Sequence, residues 1–408
     1  MLLTGTDRNA RPVILALGAT QIIGYGALYY AYAVLAPAMA AEFAVSETAM
    51  FAVFSVGLLL AGVTAPLIGS RIDRHGAAWV MAVGSAVISA LLVALAQAPN
   101  FAAFAVLLVL IEMASFAVLY DAAFATLAGH APNDSRGAIT KLTLIAGFAS
   151  TIFWPLTGWL AGAVGWRGAY LVFAALTVAV AIPLHLWIAA RPYPARTPAV
   201  GAVRSSPRGA CYLSGVRARR AFWLVGFGFA LSGMVISAIT IHMVPILLAR
   251  EMGDAAFLAA MMMGPAQVLI RVVDATLWRR LHPVAVAVMS AAVLPLAVLM
   301  LLVPGPALVT GIGFAVLLGT GGGLASIVRG AVPVALFGTE GLGLRLGRLA
   351  AIRTVLGASA PFVFAVSSTQ IGASATLGLT AALGLAGLAL MIVLHRVVHG
   401  RDAALDLT

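Results

Sequence analysis

The sequence predicts an all-α membrane protein: twelve membrane-crossing helices in two pseudo-symmetric six-helix bundles. Three observations carry this. Of 408 residues, 62% are apolar and only 9% are charged, against about 25% charged in a soluble globular chain. Twelve apolar segments reach the roughly 20 residues that a bilayer crossing needs. One long polar stretch divides them six and six. So few polar side chains cannot clothe a water-soluble protein of this length, which excludes a soluble enzyme, a nucleic-acid-binding domain and a disordered scaffold. The short alternating segments of a β-barrel are not found either.

The predicted spans are 12–38, 47–69, 77–97, 101–128, 137–162, 168–190, 221–249, 255–277, 283–303, 306–336, 346–369 and 371–396. The first is too long for a signal-peptide core and reads as a span. Several exceed the minimum and must tilt or extend past the bilayer. Residues 191–220, RPYPARTPAVGAVRSSPRGACYLSGVRARR, hold seven arginines, four prolines and no acid. They read as a solvated basic linker between a bundle at 1–190 and a second at 221–408. Their charge also suits anionic lipid headgroups. The single cysteine, Cys211, lies in this linker, so neither a disulfide framework nor a Cys-rich metal site is expected.

The net charge of +11 is a topology signal rather than a sign of nucleic acid. Of the 24 basic residues, only Arg167 and Arg250 fall in loops on one side, and Lys141, Arg271, Arg329 and Arg353 fall within spans. The other eighteen collect on the opposite side. Basic residues favour the cytoplasm, so both termini are expected to be cytoplasmic, in a membrane of the bacterial inner (plasma) type. The halves also echo each other. Span two ends PLIGSRIDRHG and span eight ends RVVDATLWRRLHP, each with a short basic turn. Internally repeated bundles are common in secondary transporters.

Between spans two and three stands Gly69-Ser70-Arg71-Ile72-Asp73-Arg74-His75-Gly76. It resembles the loop signature of the major facilitator superfamily: Gly, three residues, Asp-Arg, one residue, Gly, then basic residues. Here Ala77 and Ala78 replace the basic residues. Gly69 permits close helix approach, Gly76 a tight turn, and Asp73 can engage a neighbouring helix end or a basic group. Gly165-Trp166-Arg167-Gly168 resembles the family's Gly-Trp-Arg loop, and Pro155-Leu156-Thr157-Gly158 the tail of its antiporter motif, with Trp154 where that motif has glycine. The resemblance implies alternating access by two rocking bundles, with Gly69, Asp73, Arg74 and Gly76 as gating residues; Asp121 and Arg329 join them as gating candidates because Asp121 can form a bridge and Arg329 can pair with an acid of span four.

His242-Met243-Val244-Pro245, then Gly253 and AAFLAAMMMGPAQVLIRVVD, resemble the monocarboxylate and oxalate–formate exchanger branch. That branch places an arginine in span eight, matched by Arg271, and its oxalate–formate members a cation in span eleven, where Arg353 stands. Gln267 occupies the position where some monocarboxylate carriers have an acid. ATQIIGYGALYY with KLTLIAGFASTIFWPLTGWL is similar to bacterial arsenite-efflux carriers.

Seven ionisable groups lie within the spans: Glu112, Asp121, Lys141, Arg271, Asp274, Arg329 and Arg353. Each costs roughly 2.5–3.5 kcal/mol at the bilayer centre on insertion scales, so they are expected to be paired, near an interface or beside water. Lys141 can snorkel, and Asp274 is close to a span end. Arg271 and Arg353 share a depth, about 10 Å from the inner boundary at 1.5 Å per residue. Two guanidinium groups on one cavity make an anion site. Alternatively, Arg271 pairs with Asp274 on its own helix.

Glu112 and Asp121 are nine residues apart, about 900° on a continuous helix, and so point in opposite directions. Glu112 shares the more polar side with Ser115 and Tyr120 and reads as a proton carrier or a counter-ion, or else as a static bridge. Asp121 reads as the partner of Lys141 or Arg74. In span one, Gln21, Tyr25 and Tyr29 follow at i, i+4 and i+8. They and Tyr120 either bind a small polar solute or serve helix contacts and an aromatic band. Gly319, Gly321, Gly322 and Gly323 in span ten suit a closely packed or flexible gate. His242 has no second histidine or cysteine nearby in sequence, so no metal is expected.

The expected function is secondary transport of a small organic anion, coupled to protons or to exchange, with no cofactor, no nucleotide and no obligate protein partner beyond the bilayer. The alternatives are efflux of a small neutral or toxic solute such as arsenite and, in another class, a membrane sensor.

Overall fold

The computed structural model describes residues 10–132, 134–192, 213–252, 255–303 and 307–399. Most of the basic linker, Cys211 and Gly253 lie outside these ranges. The described chain is helical. The first six spans are α1 (Arg11–Glu42), α2 (Glu47–His75), α3 (Ala77–Ala96), α4 (Phe101–His130), α5 (Ser135–Ala146, resumed over 149–164) and α6 (166–189). The second six are α7 (Gly215–Leu248), α8 (Ala255–Met261 and Met263–Thr276), α9 (Pro283–Met300), α10 (Ala307–Phe337), α11 (Leu342–Gln370) and α12 (Ala373–His399). Eleven described helices are long and apolar enough to cross a membrane. One of them, Pro155–Ala189, is interrupted at Gly165 (φ 69°, ψ 175°). That break separates α5 from α6 and restores the twelve.

Short polar residues start the helices where the sequence leaves the apolar runs. Ser46 accepts the Ala49 N–H at the head of α2, Asn100 the Ala103 N–H at α4, and Asp134 the Gly137 N–H at α5. Each satisfies a donor that the first helical turn leaves open. The turn between α2 and α3 is a single residue, Gly76, at φ 87°.

Packing divides the chain into two compact units. The first comprises Met1–Ala210 with Gly338–Val355, and the second Cys211–Phe337 with Leu356–Thr408. The start of α11 is thus grouped with the first six helices. The reason is a close crossing within the first unit. A Cβ on Gly69 would lie 2.2 Å from the Gly343 carbonyl oxygen, and one on Gly347 would lie 2.4 Å from that of Ala65. Small residues let α2 and the start of α11 meet backbone to backbone.

Tyr32, Leu35, Met39, Phe104 and Phe173 fill the core of the first unit, and Val235, Ile239, Leu294 and Phe314 that of the second. Leu67, Trp159, Leu269 and Phe362 stay exposed. An apolar exterior of this kind suits lipid.

The two arginines of the sparsely charged end both serve helix termini. Arg167 donates to the carbonyls of Ala96 (2.7 Å) and Ala98 (2.9 Å) at the end of α3, and grips Glu42 at 2.7 Å. Its guanidinium lies 4.4 Å from the centre of the Trp166 ring, and Trp166 donates to Glu42. In the second unit Arg250 donates to the Leu301 carbonyl at the end of α9.

Candidate functional site

The chemistry-bearing residues of the first unit gather around an interruption in α4. Its two pieces, Phe101–Ser115 and Tyr120–His130, are separated by four residues, with Leu119 extended (φ −89°, ψ −166°). Ala117 and Val118 are pressed against α3 at Gly84, where a Cβ would meet them at 2.8 and 3.0 Å. A break inside a membrane frees carbonyls that must find partners. Gln21, fully buried on α1, donates its amide to the Val118 carbonyl at 2.8 Å. This is a helix contact of the kind the sequence left open for Gln21. The interruption also removes the continuous helix on which the angular separation of Glu112 from Asp121 was reckoned.

Glu112 is 0% exposed, and neither carboxyl oxygen has a hydrogen-bond partner among the described residues. Two neighbouring hydroxyls are committed elsewhere. Ser115 donates to Glu112's own backbone carbonyl (2.7 Å), and Tyr32 to the Met50 carbonyl (2.7 Å).

Beyond the break, Asp121 meets Arg353 at the start of α11, Oδ2 to Nη2 at 3.5 Å, both largely buried. The sequence pointed to Lys141 or Arg74 as its partner. Lys141 instead lies 3.9 Å from Asp134 on its own segment, and Arg74 is exposed. The early grouping of α11 with the first unit explains the difference, because it brings Arg353 to α4.

Tyr25, Tyr29 and Tyr120 are brought together. The Tyr25 and Tyr120 ring centres are 4.6 Å apart, Tyr25 and Tyr29 5.7 Å, and Tyr120 stacks on Phe124 at 5.1 Å. Phe54 of α2 continues this wall, 5.8 Å from Tyr29. The α1 segment Gly26–Tyr30 that carries Tyr29 is a π-helical turn, a feature frequent at functional sites.

At the basic end, both Asp73 oxygens accept backbone N–H groups from the first turn of α11, Gly343 at 2.7 Å and Leu344 at 2.8 Å. A carboxylate at a helix N-terminus satisfies open donors and meets the positive end of the dipole. Asp73 also lines an open cavity of about 430 Å³ with Gly76, Ala77, Gly129 and Glu340.

In the second unit Arg271 and Asp274 are both buried on α8. Gly319 and Gly323 of α10 allow a close approach to α8, where added Cβ atoms would meet the Met263 and Gln267 carbonyls at 2.4 and 2.9 Å. Arg329 is half-buried on α10. His242 packs on Phe364, 4.7 Å between ring centres. Among the described residues no cluster of three or more His, Cys, Asp or Glu side chains could hold a metal ion.

Sequence reasoning missed the break in α4, because Phe116-Ala117-Val118-Leu119 contains neither glycine nor proline. It also missed Gly343 and Gly347, although small residues spaced by four are a readable sign of close packing.

The family model of the Major Facilitator Superfamily matches residues 17–326. No curated protein matches the chain. Among solved structures, the human organic anion transporter MFSD10 (TETRAN) superposes with a TM-score of 0.72 at 17% identity, covering 94% of this chain and 100% of that one. The proton:xylose symporter XylE, bound to 6-bromo-6-deoxy-D-glucose, superposes with a TM-score of 0.69 at 13% identity, covering 94% and 95%.

Proposed function

The chain belongs to the Major Facilitator Superfamily, and from that premise we propose that it is a secondary active transporter of a small organic anion, coupled to protons and working by alternating access. Glu112 carries the reading. A buried carboxyl with no hydrogen-bond partner among the described residues can gain and lose a proton without breaking such a contact, which is the property a coupling residue needs.

Arg271 is the proposed anion anchor, since guanidinium holds a carboxylate by two parallel hydrogen bonds. Arg353 stands differently. An anion using it must displace or share Asp121, 3.5 Å away, so Arg353 and Asp121 act together as a pair that opens when substrate or the gate demands it. The wall of Tyr25, Tyr29 and Tyr120 supplies an amphipathic surface for a small solute, and Gln21 holds the interrupted α4 behind it through the Val118 carbonyl. Gly69, Asp73, Arg74 and Gly76 are the proposed gate at the basic end of the first unit, read as cytoplasmic. The relative described as an organic anion transporter is compatible with this substrate class, although a likeness at 17% identity speaks for the fold alone.

Inverted vesicles offered labelled formate, lactate, oxalate or arsenite test the reading. Accumulation of a carboxylate, lost in Arg271→Gln with the protein still in the membrane, is the expected result. Arsenite accumulation without carboxylate transport selects the efflux alternative.

A further inference from the structure

Glu112 has a neighbour that no motif marks. Gly57, buried on α2, lies directly against its side chain. A Cβ at Gly57 would sit 2.9 Å from Glu112 Cγ and 3.0 Å from its Cβ, with the Val109 Cα at 3.5 Å. Real Cβ atoms essentially never approach below 3.0 Å. The atoms met are also the stiff root of the glutamate, not its flexible end, so rotating the carboxylate cannot relieve the contact.

We propose that Gly57 is a positioning residue for Glu112: its missing side chain lets the root of Glu112 lie on the α2 backbone and holds the carboxyl where neither oxygen finds a hydrogen-bond partner among the described residues. Three facts converge on this. Both Glu112 oxygens are buried and without hydrogen bonds among the described residues. The hydroxyls of Ser115 and Tyr32 are bonded to backbone carbonyls, and the fully enclosed Tyr170 of α6 is the other titratable neighbour that interacts with Glu112. The α2 backbone offers no side chain at this point. A larger residue would push the glutamate root aside and place its carboxyl against different groups, so it would change how the carboxyl exchanges protons, not only how tightly the helices pack. The inference rests on the proposed role of Glu112 in proton coupling.

The test uses the purified full chain and infrared difference spectroscopy, which follows the C=O stretch of a protonated carboxyl through a pH titration. Four proteins are compared: wild type, Glu112→Gln, Gly57→Ala and Gly162→Ala. Gly162 is the control, because a Cβ there meets nothing within 4 Å. Glu112→Gln should delete one titrating band. Gly57→Ala should keep that band and move its midpoint by about one pH unit, a tenfold change in proton affinity, while Gly162→Ala leaves it in place. If Glu112→Gln deletes the band but Gly57→Ala leaves the midpoint unmoved, the positioning role is wrong and the proton-carrier reading stands. If no titrating band belongs to Glu112, the proton-carrier reading itself fails, and the role assigned to Gly57 fails with it. Should Gly57→Ala prove too unstable to titrate, the stability cycle decides. Gly57→Ala must lower Tm less in a Glu112→Ala background, which removes the Cγ contact, than in wild type. Equal losses in both backgrounds overturn the proposal.

Discussion

At the scale of single residues, charge inside this protein is used in two different ways. Asp121 and Arg353 neutralise each other at 3.5 Å, whereas the buried Glu112 carboxyl has no hydrogen-bond partner among the described residues. Removing one member of a buried pair leaves the other uncompensated, so the two single variants Asp121→Asn and Arg353→Gln should each lower Tm. The double variant should recover part of the loss. A double-mutant cycle should give a coupling of about 0.5–3 kcal/mol, as residues in direct contact do. Additive losses would show that the pair contributes no interaction of its own. The sequence identified both side chains but not their pairing. Asp121 and Arg353 are 232 positions apart, and spacing along a chain says nothing about partners at that distance. Gln21 shows the opposite limit. Its polar character in an apolar span was readable, but its use, satisfying the Val118 carbonyl at 2.8 Å, depends on a break that no local residue announces.

At the scale of elements, glycine pattern and helix interruption decide how the first unit is built. The crossing of α2 with the start of α11 rests on Gly69 facing Gly343 and on Asp73 capping the first turn of α11. Both come from the stretch Gly69–Gly76, which the family resemblance had singled out. Gly69→Val would place a branched side chain where a Cβ is already 2.2 Å from the Gly343 oxygen. Overpacking of this kind typically costs about 1–3 kcal/mol. The expected result is a lower Tm than for Gly158→Val, where a Cβ meets nothing within 4 Å. Equal effects at the two positions would mean that the crossing tolerates separation. Span positions were legible because hydropathy and length are local properties. The α5–α6 boundary was legible too, since Gly165-Trp166-Arg167 reads as a loop, and there the backbone departs from helix at Gly165. The break in α4 and the π-helical turns Gly26–Tyr30 and Thr177–Ala181 were not, because hydropathy and length do not register a change in backbone hydrogen bonding inside an apolar run.

At the scale of the whole molecule, the uneven distribution of arginine has a structural counterpart. The two basic residues of the sparse end, Arg167 and Arg250, are held by backbone carbonyls at the ends of α3 and α9, the third helices of their respective halves. The activity proposed for this member of the Major Facilitator Superfamily is coupling of proton movement to a small organic anion through Glu112. The most direct measurement places the purified chain in liposomes carrying a pH-sensitive dye in the lumen. Formate, acetate, lactate and oxalate are added outside, with wild type and Glu112→Gln side by side. The account predicts that at least one carboxylate drives a change in lumenal pH in wild type, and that the change is abolished in Glu112→Gln although the protein is equally incorporated. Proton movement at the wild-type rate in Glu112→Gln, or no response to any carboxylate in wild type, would contradict it.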